Sequence, residues 1–289
     1  MYEQLPQNTF PKTSYVLPSD DIEETIQRLK SDGFTFPFCV KPDVGMKGLL
    51  FRKIDNEEEL RYYHKHVPVE YIVQDLVEAP LEVSVFYYRF PNKKAGVITG
   101  FIQKDLMTVV GDGEKTLLQL ISEHPNAKHR LDEMKTKHAS NLDKIVAEGQ
   151  QYILTYAANL NRGARFTNLM HLADEKLTNI FDVISRKTSF YYGRFDLKCD
   201  SIEQLKEGKF LILEFNGSGA EPNHVYHSNY SWFKALSVFL FHWKILFQIS
   251  MYNHKQGIEF WRFKEGWNFL QHAKHHFALL EKLDNEILV

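Results

Sequence analysis

The sequence is poor in cysteine, has no surplus of charge of either sign, and carries no long unbroken apolar run. Only Cys39 and Cys199 occur in 289 residues, which excludes a disulfide framework and most structural zinc sites. Lys and Arg number 35 against 37 Asp and Glu, a formal charge of −2. The basic surplus or stripe of a general nucleic-acid binder is therefore missing. Met1 to Phe10 lacks the basic segment and apolar run of a secretory signal. The most apolar window, Ala235 to Ile249, is interrupted by Ser237, His242, Lys244 and Gln248. It reads as too short and too polar to span a bilayer, and as a buried or amphipathic helix instead. No internal repeat or low-complexity tract stands out. These absences together lead us to expect a cytoplasmic protein that binds no nucleic acid and has no membrane span.

What is present describes a globular chain. Hydrophobic residues make up 44 % and charged residues 25 %, with 22 Phe, 14 Tyr and 4 Trp, enough to bury a sizeable core. At roughly 150 residues per domain the length suits two subdomains. Up to residue 76 the pattern alternates short strands and helices. Ser14 to Leu17, Phe36 to Val40, Leu49 to Ile54 and Tyr71 to Val77 read as strands. Asp20 with Glu23 forms a capping box for a helix stopping at Gly33, and Asp55 opens a second helix over Asn56 to His66. A hairpin follows, Glu82 to Phe90 and Gly96 to Lys104, turning through Pro91 to Ala95. Residues 116 to 160 read as mostly helical, Gly163 to Leu169 as extended and Lys176 to Ser185 as helical. Arg194 to Cys199 and Phe210 to Phe215 read as strands flanking a helix from Ser201 to Gly208, and everything from Ser231 onward as helix. The expectation is an α+β fold with domains 1–76 and 77–289 and no flexible linker between them.

Two stretches carry chemistry. In Phe38-Cys39-Val40-Lys41-Pro42-Asp43-Val44-Gly45-Met46-Lys47-Gly48 a lysine ends an apolar strand and a loop with two glycines follows. Glycines let backbone N–H groups approach phosphate oxygens, and the lysine adds a positive charge. No Gly-Lys-Ser/Thr opens a helix, so this is not the P-loop pattern, and an ordinary β-hairpin turn with solvent-facing lysines is the competing account. The second stretch pairs Gly193-Arg194-Phe195-Asp196-Leu197-Lys198 with Phe210 to Gly217. Alternation along a strand puts Arg194, Asp196 and Lys198 on one face, and Ile212, Glu214 and Asn216 together on one face of the other strand. A carboxylate inside each of two apolar strands is costly unless it is paired or holds a cation. Asp196, Glu214 and Asn216 supply oxygen ligands of the kind magnesium takes. A structural Arg194–Glu214 ion pair on a half-exposed sheet is the competing account.

Taken in order, V-K-P-D-x-G-x-x-G at 40–48, Gln74-Asp75-Leu76-Val77 followed by Glu82, G-R-F-D at 193–196 and E-F-N-G at 214–217 resemble the ATP-grasp superfamily of carboxylate–amine ligases. D-alanine–D-alanine ligases, cyanophycin synthetases and the glutamate ligases of ribosomal proteins belong to that group. Val110-Gly111-Asp112-Gly113 through Thr116-Leu117, and Asn159 to Ala164, echo further segments of the last two. The resemblance implies an ATP-grasp fold of two α+β subdomains gripping the nucleotide, with a helical C-terminal extension. It implies that Lys41 holds the α and β phosphates while the loop Gly45, Lys47, Gly48 closes over the triphosphate. Gln74, Asp75, Leu76 and Val77 would line the adenine and Glu82 the ribose. Lys104 would approach the γ-phosphate, with Arg194 and Arg162 on the transferred group. Asp196, Glu214 and Asn216 would hold two magnesium ions, manganese being the alternative. The implied reaction activates a carboxylate as an acyl phosphate and joins it to an amine, on small-molecule or peptide substrates.

The chain departs from the family's pattern in two places. It begins almost at the first strand, without the family's N-terminal substrate-binding domain, which implies a homo-oligomer or a partner chain to complete the site. Gln74 stands where an acid is usual, though an amide oxygen can still accept. Two rival readings follow: an ATP-binding module without turnover, and a phosphotransferase that stops at a phosphorylated product. Gly217-Ser218-Gly219-Ala220-Glu221-Pro222-Asn223-His224 either lines the acceptor site or is a silent turn. His272, His275 and His276, like His224 and His227, lack the partners of a zinc set. The Tyr252 to Trp267 aromatics read as core packing, and Cys39 reads as a core residue.

Overall fold

The computed structural model describes residues 1–156, 158–227 and 230–287, so the last two positions of the expected C-terminal helix lie outside the described residues. The chain forms two compact units, each assembled from separate stretches. One unit comprises Met1–Pro11, Val77–Asp105 and Phe166–Gly266; the other comprises Lys12–Leu76, Leu106–Arg165 and Trp267–Val289. One of the passages from unit to unit falls between Leu76 and Val77. The fold class is α+β, as expected, with every recorded strand pairing antiparallel.

The unit that begins at Lys12 is built on a four-stranded sheet in the order β1-β4-β2-β3. Its strands are β1 (Thr13–Val16), β2 (Phe38–Pro42), β3 (Arg52–Ile54) and β4 (Tyr71–Asp75). Helices α1 (Ile22–Ser31) and α2 (Glu57–His66) contribute to the same core. The caps lie one residue later than the sequence suggested. Asp21, not Asp20, accepts from the N–H groups of Glu23 and Glu24, and Asn56, not Asp55, caps α2. Asp20 instead accepts from the Leu17 N–H, which closes the preceding turn.

Residues 116–160 are less helical than expected. A two-stranded ribbon of β7 (Thr108–Val110) and β8 (Gln151–Ile153) brackets two short helices, α3 (Leu117–Glu123) and α4 (Leu131–Lys137), around their own small core. Pro125, directly after the α3 C-cap His124, cannot continue that helix.

The unit that holds Val77–Asp105 is built on a five-stranded sheet in the order β11-β10-β5-β6-β9. The strands are β5 (Leu81–Tyr88), β6 (Val97–Asp105), β9 (Arg165–Asn168), β10 (Tyr192–Cys199) and β11 (Leu211–Asn216). Helices α5 (Glu175–Lys187) and α6 (Ile202–Lys206) lie between strands in sequence, and α7 (Trp232–Lys255) follows the sheet. The N-terminal segment runs along β11: the Tyr2 hydroxyl donates to the Leu213 carbonyl at 2.8 Å, and the Ile212 N–H to the Thr9 carbonyl at 2.7 Å.

The C-terminal region departs from expectation in four ways. It is two helices, α7 and α8 (Phe263–Glu286), parted by a connection containing Gly257 at φ 95°. By length and composition α7 is long and apolar enough to cross a membrane, with 24 residues and a mean hydropathy of 1.2 over its best window. The helix extends past both ends of the apolar stretch Ala235 to Ile249, from Trp232 to Lys255. Nor is α7 a buried helix, since only 17 % of that window is buried. The aromatics Phe260, Trp261, Phe263 and Trp267, expected in the core, are exposed.

Candidate active site

The acid-bearing strands are neighbours. β10 pairs with β11 so that Arg194 faces Asn216 and Asp196 faces Glu214, and with β5 so that Asp196 faces Ser84 and Lys198 faces Glu82. β6 brings Lys104 opposite Glu82. Directly opposed residues on antiparallel strands lie on the same face, so one face of four adjacent strands collects Glu82, Ser84, Lys104, Arg194, Asp196, Glu214 and Asn216. The register shifts after Asp196, with Leu197 opposite Ile212 and Leu213 unmatched. That bulge reverses the alternation of β11. Ile212 consequently lies buried opposite Leu197 and does not share a face with Glu214 and Asn216, as unbroken alternation would require.

Asp196 is the hub of this face. It is buried, accepts from the Ser84 hydroxyl, and lies 3.0 Å from Lys104 Nζ and 3.2 Å from Arg194 Nε. Burial works against its ionisation, but the charges of Arg194 and Lys104 outweigh burial and hold its carboxyl below the usual carboxylate range. Glu82, 3.7 Å from Lys104, goes the other way: burial raises it more than Lys104 and Lys198 lower it. The Asn216 amide is satisfied with its nitrogen 3.3 Å from Glu214 Oε1 and its oxygen 3.2 Å from Arg194 Nη2. Arg194 therefore ties Asp196 to Asn216. It also donates to the Glu221 carbonyl, 3.2 Å away in the loop 217–224.

Among the described residues no group of three or more His, Cys, Asp or Glu is placed to hold a metal. The donor set on this face is two carboxylates and a carboxamide, Asp196, Glu214 and Asn216. Hard oxygen donors of that kind suit magnesium, which retains other ligands from water or phosphate. The residues present therefore fit such an ion. Ser84 was not singled out from the sequence, and Lys198 was placed on this face but given no role. The period-two run of polar Glu82 and Ser84 through an apolar strand was the available signal for Ser84. Lys198 donates to the Val77 carbonyl at 2.8 Å, fixing the residue expected at the adenine. A cavity of about 500 Å³ in this unit is lined by Phe190, Phe215, Gly217, Ser218, Ile249 and Phe260.

The remaining expected residues belong to the other unit. Lys41 lies half-buried on β2, opposite Ile72 of β4. The glycine loop after it is fastened down. The Leu50 N–H donates to Asp284 Oδ1 at 2.8 Å and the Leu50 carbonyl accepts from Tyr63 at 3.0 Å. The Lys47 carbonyl accepts from Arg162 Nε at 3.3 Å, and the Val44 carbonyl lies 2.7 Å from His276 Nε2. Lys47 (φ 56°), Gly48 (φ 67°) and Leu50 (φ 56°) are left-handed, a conformation that costs about 1–3 kcal/mol at a non-glycine residue and persists only where surroundings enforce it. Gly45 is not left-handed; a Cβ there would meet Pro42 only at ordinary contact distance.

Gln74 is buried in β4, its amide donating to Thr13 Oγ1 at 2.8 Å and its carbonyl accepting from Cys39 Sγ at 3.3 Å. Asp75 lies 4.0 Å from Lys12, and Leu76 is half-buried. Arg162 is buried and engaged by Asp284 and Glu133. A cavity of about 850 Å³ in this unit is lined by Arg52, Lys137, His138, Tyr152, Arg162 and Asp284, among others. Its Arg52, Lys137 and Arg162 are all paired with carboxylates.

No family model matches the chain, and no curated protein does. Solved structures do match. D-alanine–D-alanine ligase from Bacillus anthracis is 14 % identical over 89 % of this chain and 66 % of its own, with a TM-score of 0.48. The ATP-grasp ligase PsnB, complexed with minimal precursor, is 12 % identical over 84 % and 55 %, with a TM-score of 0.40. A bifunctional glutathione synthetase from Pasteurella multocida is 16 % identical over 75 % and 31 %, with a TM-score of 0.37. The chain thus spans between 31 % and 66 % of the length of these structures. At such identities and TM-scores no activity or substrate passes from them to this chain. What the chain is similar to among solved structures is a set of ATP-grasp ligases.

Proposed function

We propose that the protein is an ATP-dependent ligase that activates a carboxylate as an acyl phosphate and joins it to an amine, releasing ADP and phosphate. The observation that carries this reading is the single sheet face bearing Asp196, Glu214 and Asn216 beside Arg194 and Lys104. An anionic carboxylate attacking a polyphosphate needs the approach neutralised by fixed cations, and catalysis is then mostly positioning and electrostatics. Arg194, held by Asp196 and the Glu221 carbonyl, is oriented to stabilise charge on the transferred phosphoryl group. Lys104, anchored between Asp196 and Glu82, adds a second cation near the γ-phosphate. Magnesium, held by Asp196, Glu214 and Asn216, would supply neutralisation of phosphate charge. In its own unit, Lys41 with the braced loop from Gly45 to Gly48 offers a phosphate-binding element; Val77 and Glu82 are assigned to the nucleoside.

The test is incubation with Mg·ATP and pooled amino acids and carboxylic acids, following ADP and amide product. ADP formation that depends on both a carboxylate and an amine supports the ligase; ADP with a stable phosphorylated product supports a phosphotransferase. The pairing of Asp196 with two protein cations favours, as a second reading, a nucleotide-binding module. Nucleotide binding without ADP under every acceptor would establish that instead.

A further inference from the structure

All four tryptophans of the chain fall between positions 232 and 267. Helix α7 presents two apolar faces. His242, Ile245 and Ile249 on one side are buried, with Ile245 and Ile249 packed in a cluster with Phe86 and Tyr192. On the opposite side Phe233, Leu236, Leu240, Trp243 and Phe247 follow a 3-4-3-4 spacing, which confines them to an arc of about 80° on a helix of 3.6 residues per turn. Their exposure runs from 38 % at Leu236 to 79 % at Phe233, and Trp232 beside them is 70 % exposed. Exposed apolar residues continue beyond the helix with Ile258, Phe260, Trp261 and Phe263. Within residues 231–266 there are five basic residues (Lys234, Lys244, Lys255, Arg262, Lys264) and two acidic ones (Glu259, Glu265), a local charge of +3 in a chain of −2.

We propose that the outer face of α7, with the connection after it, docks this unit on an anionic lipid membrane surface. Two features point to lipid. Tryptophan is the side chain most at home at the headgroup level, and basic residues flanking an apolar helical face add attraction to anionic lipids. A second copy of the chain is disfavoured because a two-fold interface would set the five cations against themselves, and the heptad-like spacing covers only two repeats. A transmembrane placement is disfavoured because it would strip the packed inner face from Phe86 and Tyr192. The docking is therefore peripheral. It requires no nucleotide and stands or falls apart from the ligase reading.

The experiment uses the full chain with vesicles of phosphatidylcholine alone and of phosphatidylcholine with one third phosphatidylglycerol. Three of the four tryptophans lie in the segment and Trp267 follows it directly, so intrinsic tryptophan fluorescence reports chiefly on it. We expect co-sedimentation and a blue shift with the anionic vesicles, both weakened as salt shortens the Debye length from about 10 Å at 0.1 M to about 3 Å at 1 M. The triple change Leu240→Gln, Trp243→Gln, Phe247→Gln should abolish sedimentation while leaving the circular dichroism spectrum unchanged. Lys244→Glu with Lys255→Glu, which spares the apolar stripe should the triple variant misfold, should weaken binding about tenfold or more. Equal binding to both vesicle types, no binding to either, or retention by the triple variant overturns the proposal. So does sedimentation equilibrium showing a dimer that the triple change dissolves without any vesicle binding, or a membrane-bound chain from expressing cells that resists alkaline extraction.

Discussion

Asp196 is placed where its loss and its neutralisation should differ. With Arg194 and Lys104 within 3.2 Å, Asp196→Ala leaves two cations without their counter-charge in a buried site. That kind of removal costs about 3–5 kcal/mol of stability. Asp196→Asn keeps the Ser84 hydrogen bond and should lose turnover with a smaller fall in melting temperature. Glu214 is exposed, so Glu214→Ala should abolish metal-dependent ADP formation with the melting temperature unchanged; normal activity would remove it from the metal set. Arg194→Ala should lower kcat roughly a hundred- to a thousandfold, the range for removing one donor to a developing anion. An effect confined to the KM for ATP would contradict its assigned role. At this scale the sequence was informative for Asp196, Glu214 and Arg194, because a charge inside an apolar strand demands a reason. It did not show how Gln74 is held, with its side-chain amide spent on Thr13 across a strand pairing that spacing alone does not reveal.

Strands and their order of use were legible as elements, since period-two alternation survives in β5, β6 and β10. The bulge in β11 was not, because Leu213 continues the apolar run of Leu211 and Ile212 and nothing in that run marks an extra residue. Gly193, at the entry to β10, has a structural reason to be glycine that tests the β10–β11 pairing. A Cβ there would stand 2.3 Å from the Asn216 carbonyl oxygen and 2.6 Å from the Phe215 ring. Gly193→Ala must push β11 away, costing about 1–3 kcal/mol as an overpacking change, and should lower turnover because Glu214 and Asn216 move with the strand. A melting temperature equal to the parent's would show that the pairing is looser than the register implies. The way α7 packs also makes a prediction. His242 on its inner face lies beside His224, ring centroids 6.0 Å apart, and burial pushes both imidazoles down to about 4. A depressed value in the fold means that the unfolded chain binds protons first. Their contribution is complete above about pH 6.5 and is lost as pH falls towards 4, up to roughly 3 kcal/mol for each group. Thermal unfolding should therefore weaken between pH 6.5 and 4, and His242→Phe should flatten that dependence. An unchanged slope would mean that other groups carry it.

The expected "helical C-terminal extension" is, in the whole molecule, part of a core. Leu280 and Ile287 are buried with Val40, Leu50 and Tyr63, and Asp284 enters among them as a charge. Arg52 Nη1 lies 2.9 Å from Asp284 Oδ1, Arg162 engages the other oxygen, and the Leu50 N–H reaches Oδ1 at 2.8 Å. Burial opposes ionisation here, yet Arg52 and Arg162 prevail and hold the carboxyl down at about 2. None of this was readable in advance. A carboxylate more than 230 positions from its strand partner looks like any acid on a solvated helix, and periodicity says nothing about which helix completes a distant core. The consequence is that one side chain near the end of the chain braces the left-handed backbone of the glycine loop. Asp284→Ala would strand Arg52 and Arg162 without a partner and free the Leu50 N–H, a loss of about 3–5 kcal/mol. Asp284→Asn retains an acceptor for Leu50 but leaves the two arginines less compensated, and should fall between parent and alanine variant. Because the lowered carboxyl stabilises the fold above about pH 4 and that support is lost only as pH drops through about 2, the gap between parent and Asp284→Asn should be constant at neutral pH and close in strong acid. If the loop is a phosphate-binding element, both variants should also bind Mg·ATP more weakly at temperatures where they remain folded. Full stability of Asp284→Ala in thermal unfolding would show that the terminal helix merely rests on this unit, and that the loop holds its backbone unaided.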